Sequence, residues 1–92
     1  MLIRSFRDRE TEKIANRIWS RKFQAINARA QRRFDALLAA TSPSDLNLPG
    51  MNLEVLKGGR KGQHSIRIND QFRICFTVRD NELYDVEIVD YH

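Results

Sequence analysis

The sequence is poor in the residues that build metal centres and covalent staples. Its 92 positions hold one cysteine, Cys75, and two histidines, His64 and His92. A lone cysteine excludes an internal disulfide, and no histidine–cysteine spacing matches a zinc site, so neither a metal nor metal-dependent chemistry is expected. No apolar run approaches the roughly 20 residues of a membrane span, which removes membrane insertion from the candidate functions. The opening stretch Met1-Leu2-Ile3-Arg4-Ser5-Phe6-Arg7 lacks the extended apolar region and cleavage site of a secretory signal, so a cytoplasmic location is expected. Repeats and low-complexity tracts are absent. The length fits one small domain over residues 1–92, with no room for a second domain or a cofactor-binding subdomain.

What is present is an ordinary apolar fraction, 41%, beside 30% charged residues, the balance of a folded globular chain. The net charge of +4 is unevenly placed. Residues 1–40 carry ten basic and four acidic side chains, and residues 41–92 six and eight. Within the second half, residues 57–73 hold five basic side chains and one acidic, whereas residues 74–92 hold one and five. A basic loop and hairpin therefore adjoin an acidic final strand. Such a surface suits a polyanion or an acidic protein without choosing between them.

Periodicity orders the elements. Leu2 to Phe6 reads as a short strand, and Asp8 is a credible N-cap for a helix with Glu10 and Glu12 in its first turn. That helix presents Ile14, Ala15, Ile18 and Trp19 as a narrow apolar stripe and breaks near Arg21-Lys22. A second helix follows from Phe23, Ile26, Ala30, Phe34, Leu37 and Leu38 at helical spacing, with Arg29, Arg32 and Arg33 elsewhere on the wheel. Residues 41–50 carry loop breakers, with room for one turn starting at Ser42. Beyond residue 50 the period falls to two: His64–Ile68 and Gln71–Val78 form a hairpin around Asn69-Asp70, and Leu83–Tyr91 returns after Asp80-Asn81. The expectation is an α+β fold of order βααβββ, two helices on one face of a small antiparallel sheet. Alternation puts Ile66, Ile68, Phe72, Ile74, Phe76, Val78, Val86 and Ile88 beneath the helices. The open face then receives Arg67, Arg73, Cys75, Thr77, Glu87, Val89 and Tyr91.

Several clusters have both a plain and a chemical reading. Leu56-Lys57-Gly58-Gly59-Arg60-Lys61-Gly62 brings three cations and three glycines together, suited to a phosphate or simply to a solvated turn, and lacks the spacing of a Walker A loop. Arg67 and Arg73 either grip phosphates or pair with Asp85 or Glu87 across the sheet. Glu54 is either a base or an ion partner of Lys57. Cys75 reads as a strand residue and His64 as a packing or edge residue. The terminal Asp90-Tyr91-His92 places three polar groups where chains ordinarily fray. Metal-free RNA cleavage needs deprotonation of a 2′-OH, cations for the phosphate and an acid for the leaving oxygen, functions that Lys57, Arg73, Tyr91 and His92 supply together.

The runs Leu53-Glu54-Val55-Leu56-Lys57-Gly58, His64 through Phe76 and Val86-Glu87-Ile88-Val89-Asp90-Tyr91-His92 resemble the HigB branch of the RelE/ParE toxin superfamily, the plasmid-maintenance killer proteins. The resemblance covers essentially the whole chain and is weakest through residues 8–30. It implies a RelE-like fold and a bacterial toxin that cuts messenger RNA on the translating ribosome. It also implies neutralisation by a helix-turn-helix, HigA-like antitoxin, with operator DNA met only through that antitoxin.

Carried over by position, the resemblance makes Lys57 and Arg73 phosphate stabilisers, Tyr91 the group that orients or activates the nucleophile, and His92 a proton-transfer group positioned by Asp90. Gly58 lets the backbone approach RNA, while Arg60, Lys61 and Arg67 hold phosphates. The helical excess, including Arg32 and Arg33, is assigned to ribosomal RNA. Some members carry histidine where this sequence has Glu54, which leaves the general base open. Two alternatives stand beside this one: the gyrase-inhibiting branch on the same fold, and a non-catalytic RNA- or antitoxin-binding module.

Overall fold

The computed structural model describes residues 1–91. The elements run β1 (Leu2–Ile3), α1 (Arg9–Ala15), α2 (Asn27–Ala39), a 3-10 turn (Pro43–Leu46), β2 (Glu54–Val55), a second 3-10 turn (Gly58–Arg60), β3 (Gln63–Arg67), β4 (Phe72–Arg79) and β5 (Glu82–Asp90). The sheet has five strands in the order β1-β5-β4-β3-β2. Two corrections to the expected βααβββ follow. Glu54–Val55 adds a strand by pairing with Ser65 and His64, and β1 runs parallel to β5, so the sheet is mixed and not purely antiparallel. A two-residue edge strand leaves too short an alternation to be read from sequence.

Asp8 caps α1 as expected: its carboxylate accepts from the Thr11 N–H (2.8 Å) and from the Thr11 hydroxyl (2.9 Å). The helix nevertheless stops at Ala15, and Arg17 takes the left-handed conformation (φ 61°). Ile18 and Trp19 therefore leave the helix and are exposed, contrary to the expected stripe. The second helix also starts later than its periodicity suggests. Phe23 and Ile26 are buried, yet they precede the first helical residue, Asn27. Leu38 is exposed rather than in the core.

One apolar cluster joins Ile14, Phe34 and Leu37 from the helices to Ile66, Ile74, Phe76, Val86 and Ile88 from the strands and to Ile68 just beyond β3, with Phe72 and Val78 packed against it. The expected parity holds for these strand residues, but Leu83, of opposite parity to Val86, also joins the core, because the left-handed Asp85 (φ 53°) and the register shift between Cys75 and Thr77 break the alternation. The β3–β4 and β4–β5 ladders put Ser65, Cys75 and Glu87 in one row on the opposite face, with Glu54 facing Ser65 from β2. Arg67, Arg73 and Val89 form the next row. That face is not open at its centre: Arg73 and Cys75 are buried there.

Candidate functional site

Arg73 is the centre of this face. Only 7% of it is exposed, so its charge must be met by hydrogen bonds. Its Nε donates to the Ser65 hydroxyl at 2.8 Å. Its Nη2 donates to the Asn52 carbonyl and, at 3.4 Å, to the Ser65 carbonyl. Asn52 reaches this position with a left-handed backbone (φ 45°), a conformation asparagine tolerates better than most residues. Glu54 Oε1 lies 3.9 Å from Nη1, an ion pair beyond hydrogen-bond distance. One edge of the guanidinium is thus spent on the fold, while Nη1 faces a single, half-exposed carboxylate.

Tyr91 completes the cluster. The Arg73 Cζ stands 5.6 Å from the centroid of its ring, and the tyrosine is 44% exposed. Its position is fixed beyond the end of β5 by its own N–H, which donates to the Gln71 carbonyl (2.6 Å). Gln71 Nε2 also donates to Asp90 Oδ2 at 3.1 Å, so the β3–β4 turn and the end of β5 are tied together. The structure therefore joins Arg73, Glu54 and Tyr91 directly, with Asp90 one residue away. His92 lies outside the described residues.

The glycine-rich segment borders the same face. Lys57 precedes the 3-10 turn and is exposed, as is Lys61, whose N–H closes the turn onto the Gly58 carbonyl (3.1 Å). Gly58 has φ +66° with open space around it, so glycine is favoured there by backbone conformation and not by crowding. Arg60 folds back over the sheet to bond Gln63 Oε1 and Glu87 Oε1, each at 3.1 Å, and Arg7 approaches the same carboxylate at 3.9 Å. Beneath lies Cys75, whose thiol is pushed up from its ordinary pKa by burial. Its elevated pKa and full burial make it a poor nucleophile.

The remaining expectations resolve differently. Arg67 pairs with Asp70 in its own turn, and neither it nor Arg73 uses Asp85 or Glu87. Glu54 faces Arg73 rather than Lys57. Arg33 is half-buried and braces the fold, donating from Nε to the Arg67 carbonyl (2.7 Å) and from Nη2 to the Gly50 carbonyl (3.4 Å). Burial, with Arg29, Arg67 and Arg32 nearby, lowers its pKa. Arg32 is exposed. His64 stacks on Phe76 at 6.0 Å, as a packing residue would. Among the described residues no group of three His, Cys, Asp or Glu side chains could hold a metal ion, and no helix is long and apolar enough to cross a membrane. Ser65, Asn52 and Gln71 were not singled out from sequence. Ser65 and Gln71 carried a signal, since their parity is that of Arg67 and Arg73; Asn52 carried none.

A family model described as the RelE-like toxin of the type II toxin–antitoxin system HigB matches residues 2–92. The chain belongs to the HigB-like toxin family. Toxin HigB-1 of Vibrio cholerae serotype O1 is 46% identical over 46 residues, 49% of this chain; the match spans about half of that protein, 48% of its length. Two solved complexes of YoeB–YefM toxin–antitoxin from Staphylococcus aureus contain a chain with this fold, at TM-scores of 0.63 and 0.58. Each match covers 100% of this chain and 99% of the other at 21% identity, so the likeness speaks for the fold alone. By sequence the chain thus groups with the RelE-like toxins of type II toxin–antitoxin systems, on an α+β fold of two helices and a five-stranded sheet.

Proposed function

We propose that this toxin is a ribosome-dependent endoribonuclease that cleaves messenger RNA without a metal ion. The observation that carries the reading is Arg73: a buried guanidinium, fixed on one edge by Ser65 and Asn52, whose other edge faces Glu54 and the ring of Tyr91. A fixed donor of this kind is worth more at a phosphate in transition than a mobile surface arginine, because it needs no reorganisation when charge develops.

In the proposed step the ribose 2′-oxygen attacks the adjacent phosphorus. The phosphorus–O5′ bond breaks, leaving a 2′,3′-cyclic phosphate and a 5′-hydroxyl. Arg73 and Lys57 hold the charge that builds on the non-bridging oxygens. Tyr91 orients the 2′-hydroxyl, and His92 transfers a proton, with Asp90 positioning the pair. Glu54 either accepts the 2′-proton or serves only as the counter-charge of Arg73. Gly58 lets the turn approach the strand, and Arg60, Lys61 and Arg67 contact flanking phosphates, with Arg32 facing RNA on the helical side, where Arg33 braces the fold. Residues 1–92 act as one domain in the cytoplasm, the ribosome supplies substrate positioning, and a helix-turn-helix antitoxin is the neutralising partner.

The test is cleavage of a 5′-labelled message by purified protein with and without programmed ribosomes. Fragments with cyclic-phosphate ends should appear only with ribosomes, and should fall by at least about 100-fold in Arg73→Lys and Lys57→Ala, the scale of losing one preorganised donor. Intact message at all protein concentrations would overturn the reading.

A further inference from the structure

From Lys13 to Phe34 the sequence has seven Lys or Arg and no Asp or Glu, and this stretch contains the chain's one tryptophan. Trp19 is 62% exposed, and Ile18 beside it is also exposed. An indole left in water forgoes a large burial energy that a partner would recover. The segment that presents it is rigidly tied. The buried Ser20 N–H donates to Asn27 Oδ1 (3.0 Å), and Asn27 Nδ2 donates to the carbonyls of Ser20 (2.8 Å) and Phe23 (2.6 Å). The Ser20 hydroxyl donates to Glu10 (2.8 Å), and Phe23 meets Phe72 edge-on at 5.8 Å.

Beside Trp19 lies a groove of about 480 Å³ that Gln24, Arg29, Arg32 and Asn69 also line. Neither arginine has a carboxylate partner among the described residues, and both are exposed. We propose that this groove binds single-stranded RNA, one base stacking on the Trp19 indole and the neighbouring phosphates lying on Arg29 and Arg32. An aromatic face accepts any base, and the two cations supply the backbone attraction that such sites combine with stacking.

The position of the groove favours RNA over an acidic protein segment. Asn69 belongs to the β3–β4 turn, where its Oδ1 accepts from the N–H groups of Gln71 (2.9 Å) and Phe72 (2.7 Å). Gln71 in turn holds Tyr91 and Asp90. The groove and the candidate cleavage site thus meet at one turn, Asn69 lining the groove and Gln71 holding Tyr91. The proposal rests on the RNA reading above and adds to it a second contact that captures the flanking strand.

Because Trp19 is the chain's one tryptophan, its own emission reports the event. Titration with an oligoadenylate of about 12 nucleotides, within the span of known single-strand sites, should quench it. Arg29→Gln combined with Arg32→Gln should weaken binding at least about tenfold and flatten the salt dependence by roughly 0.7 per lost phosphate contact. Measured by anisotropy of labelled RNA, Trp19→Ala should weaken binding about 5- to 100-fold, and Trp19→Phe should restore most of it. Arg79→Gln, at the end of β4 opposite the β3–β4 turn, should keep the quench. A wild-type protein that shows this quench and yet never cuts message leaves the groove standing and removes the cleavage reading. Absence of quenching by RNA, or equal quenching by polyglutamate of matched charge, would overturn the RNA assignment, the latter in favour of an acidic protein partner.

Discussion

Ser65→Ala removes one hydroxyl from a residue that is fully buried and has no place in the proposed chemistry itself. Its oxygen accepts the Arg73 Nε–H at 2.8 Å, and the alanine variant leaves that donor unmet inside the protein. An orphaned donor on a charged group costs about 1–3 kcal/mol. For a domain of this size each kcal/mol moves the melting temperature by about 4–8 °C, so a fall on the order of 10 °C is expected in a thermal melt followed by circular dichroism. Message cleavage should fall about 10- to 100-fold as the guanidinium loses its fixed edge, because sub-ångström misplacement of a charged group is costly in rate. In an Arg73→Met background the same Ser65→Ala change should cost less than about 1 kcal/mol, giving a coupling energy within the range seen for residues in contact, about 0.5–3 kcal/mol. A melt within about 2 °C of the parent, or an equal loss in both backgrounds, would refute the claim that Ser65 acts through Arg73.

Asn27→Ala should destabilise the protein by about 2–4 kcal/mol, since it strips three buried hydrogen bonds between the helices, and should shift the Trp19 emission maximum; an unchanged spectrum would show that Asn27 does not position the tryptophan. Glu87→Gln should speed amide exchange across residues 58–62 by releasing Arg60, with a stability change under about 1 kcal/mol because the pair is partly exposed. Unaltered exchange there would contradict a tether. Burial raises the Cys75 thiol pKa in the folded chain, so the unfolded chain loses its proton first as pH rises. Stability is therefore unaffected well below the ordinary thiol pKa of about 8.5 and falls as pH climbs through it. Urea melts between pH 7 and 10 should show a steeper alkaline loss in the wild type than in Cys75→Ala, and parallel curves would remove the assignment.

Much of the strand parity was legible because each strand from Gln63 onward is long enough to alternate, and Ile66, Ile74, Phe76, Val86 and Ile88 all lie in the core; Leu83 joins them against its parity because the left-handed Asp85 breaks the alternation of β5. The helix boundaries were less so. Phe23 and Ile26 keep helical spacing because they are buried, yet the buried Asn27 bonds back to the Ser20 and Phe23 carbonyls and delays the helix. Ile18 and Trp19 continued the apolar stripe of the first helix by spacing, but the left-handed Arg17 follows the end of α1 and both side chains are exposed. In the site, alternation placed Arg73 and Tyr91 on one face. It gave no hint that Arg73 is buried, because the groups that meet it are a carbonyl at Asn52 and a hydroxyl at Ser65, contacts that depend on a two-residue edge strand and one unusual backbone angle. Glu54 reads as a partner of Lys57 by proximity in sequence; β2 pairing turns it toward Arg73 instead.

Whether the buried Arg73 guanidinium, held by Ser65 and Asn52, serves RNA cleavage is read from transcript ends mapped in cells after brief induction. New 5′ ends inside reading frames, paired with 2′,3′-cyclic phosphates, should appear with the wild type and vanish with Arg73→Lys at equal protein level. Growth arrest with transcripts intact, or cleavage undiminished in Arg73→Lys, would contradict the account.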